Sequence, residues 1–241
     1  MPTAGLLVIG NEILSGKVVD ANSPYLAKEL RELGVDLERI LTIPDEVELI
    51  AREVRAMSEA YDFVFTSGGI GPTHDDMTME AIAKAFDCEI EENASMMERM
   101  ERAQGKPPNE SQRKMAMIPE NSVLIDSGDL WFPIVVVENV HIFPGIPELL
   151  QKKFASMRER FRGVPFLLRR IYVTSNESDI AESLNDLLVE YPELMLGSYP
   201  RIGEEHYRVM LTLESRDEAY LTAAVDSLLQ RLPSDGVYRV D

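Results

Sequence analysis

Between residues 4 and 86, short apolar runs alternate with amphipathic stretches. Residues 4–10 form an apolar run closed by glycine, as a buried strand would be. Leu26, Leu30 and Leu33 then fall on one helical face, with Asn22 or Ser23 expected as the cap, Pro24 in the first turn and Gly34 as the stop. Residues 35–43 read as a second strand, 46–60 as a helix carrying Ile50, Val54 and Met57, 62–67 as a third strand and 78–86 as a helix again. This β-α-β-α-β-α rhythm predicts an α/β fold: a mostly parallel sheet between two helical layers.

The middle is less regular. Helices are predicted over 93–103 and 110–117, an antiparallel strand pair over 133–137 and Val140–Phe143, and a charged helix over 148–161. From 166 onward the order is β (166–174), α (179–190), β (194–199), β (207–214), α (216–232) and β (Val237–Val240), the split βαβ or ferredoxin-like arrangement. Ser215 with Glu218 reads as a capping box. The expected organisation is a first domain over 1–163 and a smaller α/β domain over 164–241.

The chemistry concentrates at one bend. Ser67-Gly68-Gly69-Ile70-Gly71-Pro72-Thr73-His74-Asp75-Asp76-Met77-Thr78 lies between an apolar strand and a helix. Glycines there allow sharp turns and close approach of backbone to ligand. Ligands of open α/β sheets gather beyond the carboxyl ends of strands, and helix N–H groups receive phosphate. The stretch has neither the Walker ending nor the GxGxxG spacing. Asp75 and Asp76 would repel a phosphate unless a divalent cation sat between them, since Mg²⁺ is held by one or two carboxylates plus substrate phosphates. The alternative is that Asp75, Asp76 and Thr78 only cap the helix. Gly10-Asn11-Glu12, Asp20, Asn22, Asp45 and Pro144-Gly145-Ile146-Pro147 are expected at the same sheet edge, although Asp45 and Asn22 are also ordinary caps.

Other residues carry weaker signals. His74 reads as a surface residue before a ligand, and Arg113 and Lys114 as a solvated face before an anion site. Cys88, Met96, Met97 and Met100 read as packing. Glu89, Glu91 and Glu92 read as a solvated face, and Trp131 and Phe132 as a pocket wall or a core plug. Forty-two Asp and Glu against 24 Lys and Arg, a net charge of −18, argue against nucleic acid or an anionic membrane as partner. One cysteine and three histidines exclude an intrachain disulfide and disfavour a Cys- or His-rich metal site. With no signal peptide pattern and no apolar run near the roughly 18 residues of a span, a cytoplasmic protein is expected.

Gly10-Asn11-Glu12-Ile13-Leu14-Ser15-Gly16, Asp20-Ala21-Asn22, the stretch from Thr66 to Thr78 and Phe143-Pro144-Gly145-Ile146-Pro147-Glu148 resemble the molybdopterin-binding-like (MoaB/Mog) family. More narrowly they are similar to the branch of competence/damage-inducible protein A and the N-terminal domain of eukaryotic FAD synthase. Residues 137–150 and Leu196-Gly197-Ser198-Tyr199-Pro200 favour the latter. The resemblance implies a three-layer α/β/α first domain. It also implies hydrolysis of the pyrophosphate of FAD, ADP-ribose or a related dinucleotide, with a divalent metal (Mg, Mn, Co or Ni) and often K⁺. A pterin-phosphate binder or adenylyltransferase, and a non-catalytic nucleotide sensor, are the competing expectations. A homo-oligomer is implied, a dimer before a trimer. Asp45 and Asp76 match the family's acidic positions and are the expected metal ligands. Asp45, Asp75, Asp76 and Glu12 are the expected catalytic set. Gly10, Asn11, Asn22, Gly68, Gly69, Gly71, Pro72, Thr73, Thr78, Pro144, Gly145 and Pro147 are the expected substrate-binding set. Asn11 stands where the branch more often has Asp, one carboxylate fewer. Neither the FAD-making adenylyltransferase domain nor the amidohydrolase domain of the competence protein has a counterpart in these 241 residues.

Overall fold

The computed structural model describes residues 2–128, 130, 132–233 and 235–241. By contacts the chain divides into two units, Met1–Gly163 and Val164–Asp241. The first runs β1 (Thr3–Ile9), α1 (Asn11–Leu14), α2 (Asn22–Glu32), β2 (Asp36–Ile43), α3 (Val47–Ala60), β3 (Phe63–Ser67) and α4 (Thr78–Ala85). It continues with β4 (Ile90–Glu92), α5 (Ala94–Gln104), α6 (Glu110–Lys114), β5 (Met117–Pro119) and β6 (Val123–Ile125). The hairpin β7 (Ile134–Val137) and β8 (Val140–Phe143), then α7 (Pro147–Met157) and a 3₁₀ turn at Arg158–Phe161, complete it.

Its main sheet has the order β2-β1-β3-β8-β7-β6. The strands β2, β1, β3 and β8 are mutually parallel, and β7 and β6 continue antiparallel. Alternation along β1 explains the layering. Leu7 and Ile9 face a core built with Ile50, Val54 and Met57 of α3, Ala81 and Ile82 of α4, and Met96 and Met100 of α5. Leu6 and Val8 face the opposite core, with Leu26 and Leu30 of α2 and Leu150, Phe154 and Met157 of α7. A strand buried on both faces needs a continuous apolar run, which residues 4–9 supply. Because β2 lies on one side of β1 and β3 on the other, the strand order reverses between β1 and β3. At such a switch point the connections leave in opposite directions and open a crevice at the carboxyl edge.

The second unit is β9 (Leu167–Val173), α8 (Glu177–Glu190), β10 (Met195–Pro200), β11 (Val209–Ser215), α9 (Glu218–Arg231) and β12 (Val237–Val240). Its antiparallel sheet runs β10-β11-β9-β12, the ferredoxin-like order, over a core of Ile171, Val173, Leu184, Leu211 and Leu228.

Several local expectations are corrected. Neither Asn22 nor Ser23 caps α2: Asp20 Oδ1 accepts from the N–H groups of both, at 2.9 and 3.0 Å. Ser215 belongs to β11, and the cap of α9 is Asp217, which accepts from Tyr220 N at 3.0 Å. Residues 115–117 are not helical, because Met117–Pro119 pairs with Ile90–Glu92. Glu91 and Glu92 are therefore edge-strand residues. The charged helix ends at Met157 and tightens into the 3₁₀ turn, and β6 was not expected. Asp45 is not the cap of α3, whose N-cap is Glu46. Trp131 lies outside the described residues.

His141 of β8 stacks on Phe65 at 5.5 Å and meets Phe161 edge-on at 5.0 Å. Burial pushes its pKa down from 6.5 to about 4. The unfolded chain then binds a proton between pH 6.5 and 4 that the folded chain refuses, so stability falls as pH drops through that window. The expected loss is up to about 3 kcal/mol. Urea titrations should show it, and H141F should flatten the dependence between those pH values.

Candidate functional site at the carboxyl edge

The crevice between β1 and β3 opens into a cavity of about 550 Å³. Its rim is built by tight geometry around Gly68. Gly68 has φ +108°, and a Cβ there would fall 2.1 Å from the backbone oxygen of Ile9. Gly69 follows at φ +66°, with Thr78 Oγ1 where its Cβ would be. The Thr78 hydroxyl donates to Gly68 O at 2.9 Å, and Thr78 N donates to Gly69 O at 3.0 Å. This threonine therefore fastens the bend to the start of α4 and is not itself a side-chain cap. Gly68 N is spent on Phe143 O. The N–H groups of Gly69, Ile70 and Gly71 have no partner among the described residues, and all three residues line the cavity. Successive unpaired N–H groups around left-handed glycines make a concavity suited to anions.

Further along the bend, Asp76 Oδ2 accepts from Thr73 N at 2.8 Å and from Thr73 Oγ1 at 2.6 Å. The same hydroxyl reaches Asp75 Oδ1 at 2.6 Å, so one proton is shared between two carboxylates. That hydrogen bond holds Asp75 below the usual carboxylate range. Lys114 Nζ donates to the Thr73 carbonyl, a tie from α6 that replaces the solvated role expected of it. Arg113 instead pairs with Glu92 at 2.9 Å. His74 is almost fully exposed and lies 4.0 Å from Asp75.

The opposite wall comes from the β1 and β8 ends. Asp45 Oδ2 accepts from Asn11 N at 2.8 Å, holding the short α1 turn that carries Glu12 into the cavity. Asn22 is buried, and its Nδ2 donates to Ser67 Oγ and to Gly145 O, both at 2.8 Å. A carbonyl can only accept, so the amide orientation is fixed, and Asn22 Oδ1 is left without a partner. Gly145 approaches Gly68 so closely that its Cβ would lie 3.4 Å from Gly68 Cα.

Of the expected site residues, the cavity brings together Glu12, Asn22, Gly68, Gly69, Gly71, Pro72, Asp76, Pro144, Gly145 and Pro147. Gly10, Asn11, Asp45, Thr73, Asp75 and Thr78 are not in its lining, and of these Asn11, Asp45, Thr73 and Thr78 support residues that are. The lining also includes Val18, Val19, Asp20, Met115, Leu130, Phe132 and Lys153, none of them in the expected binding set. Cys88 is half-buried, and burial raises its thiol pKa, as a packing cysteine requires.

No group of three His, Cys, Asp or Glu able to hold a metal occurs among the described residues. The cavity does present Glu12, Asp20 and Asp76. Asp20 is engaged with the start of α2, and Asp76 uses one oxygen on Thr73. The carboxylates of the lining not committed to a helix start are Glu12 and Asp76, oxygen donors of the kind that Mg²⁺ takes alongside substrate phosphates rather than an all-protein cage.

An open α/β sheet with a glycine bend and carboxylates at its switch point is the class of fold whose ligands gather at the carboxyl edge of the strands. The chain belongs to the family described as probable molybdopterin binding domain, matched over residues 5–168, and residues 165–241 match the FAD synthase middle domain. It is 35% identical over 220 residues to a protein of Archaeoglobus fulgidus, covering 91% of this chain and 93% of that one. It is 32% identical to a probable FAD synthase of Caenorhabditis elegans, covering 98% of this chain but 51% of that protein. This chain thus spans about half the length of that relative. A Thermoplasma acidophilum structure titled protein CinA with unknown function superposes with a TM-score of 0.62 at 28% identity, covering 67% of this chain and 99% of that one. No helix among the described residues is long and apolar enough to cross a membrane.

Proposed function

We propose that this protein hydrolyses the pyrophosphate bond of FAD, ADP-ribose or a related dinucleotide, with a divalent metal and K⁺ as the expected ions. The observation that carries the reading is the pairing, across one cavity, of three unpaired backbone N–H groups (Gly69, Ile70, Gly71) with the carboxylates of Glu12 and Asp76. Carboxylates alone would repel a diphosphate, and N–H groups alone would bind it without turning it over. Together they suit a diphosphate that arrives with a cation. When bound, that ion would neutralise charge on the phosphoryl oxygens and lower the pKa of a water.

The chain's own groups have separate tasks. The bend donates to the diphosphate oxygens. Glu12 and Asp76 would hold the ion, and Asp45 fixes the turn that presents Glu12 by accepting from Asn11 N. Asn22 ties the β3 end to the 144–147 turn and so keeps the two walls at a fixed spacing. Asp75, sharing the Thr73 proton with Asp76, keeps that neighbour oriented.

A panel tests this. The protein is incubated with FAD, ADP-ribose, NAD and coenzyme A under Mg²⁺, Mn²⁺, Co²⁺ and Ni²⁺, with and without K⁺, and AMP is sought by chromatography. Metal-dependent AMP from FAD or ADP-ribose is expected. Absence of turnover under every ion, with retained nucleotide binding, would favour a sensor. The family match favours a second reading, a binder or adenylyltransferase of a pterin phosphate. Retention of molybdopterin, or its adenylylation with ATP, would select it.

A further inference from the structure

Both helices of the second unit, α8 and α9, pack on one face of its sheet, against Ile171, Val173, Leu196, Leu211, Leu213 and Val237. Strand side chains alternate, so the residues between these form the opposite face. Cα pairing lays that face out in rows. Tyr199, Met210, Tyr172 and Arg239 make one row. Gly197, Thr212 and Arg170 make the next, and Asp241 bonds to Arg170 through both backbone groups. Arg239 lies 4.2 Å over the Tyr172 ring, Tyr207 meets that ring edge-on at 4.9 Å, and Tyr238 stacks on Tyr207 at 6.5 Å. The Tyr199 ring lies against Gly197, where a Cβ would otherwise stand. The surface is thus paved with tyrosine, methionine and arginine. Tyr199 and Tyr238 are half exposed, and Arg170 and Arg239 are exposed.

Tyrosine, methionine and arginine concentrate at the centres of protein–protein contacts, where lysine is depleted. Residues 164–241 contain no lysine. Charge then selects the partner. The unit carries 14 Asp and Glu against seven Arg, and Glu182, Asp186, Glu190 and Asp226 are exposed on its helices. The paved face is balanced instead, with Arg170 and Arg239 against Glu214 and Asp241, and Arg239 pairs with Asp241 at 2.8 Å. A nucleic acid or an acidic protein needs a net positive face, and a basic protein is drawn to the helices. Two copies of a chain with a net charge of −18 repel each other except where their charge is balanced. An isologous contact is self-complementary, so a two-fold axis can set the arginines of one copy against the acids of the other. We propose that this sheet face is a self-association surface, occupied by the same face of a second copy. The two sheets then pack face to face at about 10 Å, with the tyrosine rings interleaved. This goes beyond the hydrolysis proposed above, and neither ligand nor metal enters its test.

Sedimentation equilibrium of the full chain should show a dimer at micromolar concentration. R170E/R239E removes the positive charge of the face, and E214R/D241R removes the negative charge. Each variant alone sets like charge against like and should weaken self-association at least about tenfold, with circular dichroism confirming the fold. Mixed one to one, the two variants should associate with each other. Photochemical tyrosine crosslinking of ¹⁵N-labelled with unlabelled wild type should join Tyr199 or Tyr238 of one copy to a tyrosine of the same face on the other. A wild type that stays monomeric to about 100 μM overturns the proposal. So does undiminished self-association of both folded variants, because another surface then holds the copies, and so does failure of the folded pair to associate when mixed. Intermolecular crosslinks confined to Tyr25 and Tyr61 of the first unit overturn it as well, and that result stands even if the variants do not fold. A monomer that binds a single-stranded oligonucleotide, and loses it in R170E/R239E, would overturn it in favour of nucleic acid.

Discussion

D76A is expected to lower turnover of FAD or ADP-ribose by about 10²–10³ or more, with the fold intact. A Cβ on Gly71 would fall 2.7 Å from Asp76 Oδ2, so the carboxylate sits against the bend proposed to receive the diphosphate. Removing it deletes one of the two carboxylates proposed to hold the ion. It also releases the Thr73 N–H and hydroxyl from Oδ2. Thr73 is exposed, so water replaces the lost acceptor and the stability cost stays within about 1 kcal/mol. D76N, which keeps the shape and removes the charge, should lose nearly as much activity. Near-wild-type turnover in D76N, with an unchanged circular dichroism spectrum, would remove the residue's assigned role.

G68A is expected to destabilise the first unit by about 3 kcal/mol or more, read as a shift in the urea midpoint. The clash is with the backbone oxygen of Ile9, which β1 pairing on both sides prevents from moving, and the φ of +108° is itself strained for alanine. Gly71 gives the contrast. There the obstructing atoms belong to the Asp76 side chain, which can rotate away. G71A should therefore fold and yet lose activity, because the carboxylate is displaced. If G68A unfolded at the wild-type midpoint, the bend would not have the tightness on which the anion site depends.

The layered sheet was legible because its signals are strong and local: doubly buried strands write unbroken apolar runs, and glycines mark the bend. Ties between distant segments were not legible. Asp45 is joined to Asn11 across 34 positions, and no local pattern separates that role from an ordinary cap. Asn22 looked like a cap because Asn before a helix usually is one. Here Asp20 takes that task and frees Asn22 to bridge β3 and the 144–147 turn. Strands of three residues, such as β4, β5 and β6, are too short for alternation to show. Lys153 left a signal that composition hid. It falls on the stripe of Leu150, Phe154 and Met157, at the spacing of a buried helical face, but in a charged helix a lysine reads as solvated.

The most direct test is diffraction from crystals soaked with Mn²⁺ and a non-hydrolysable methylene analogue of ADP-ribose. The account predicts an anomalous peak within coordination distance of Asp76 or Glu12, with diphosphate oxygens on the N–H groups of Gly69 to Gly71. A diphosphate bound elsewhere, or seated on those N–H groups with no ion between it and the two acids, would contradict it.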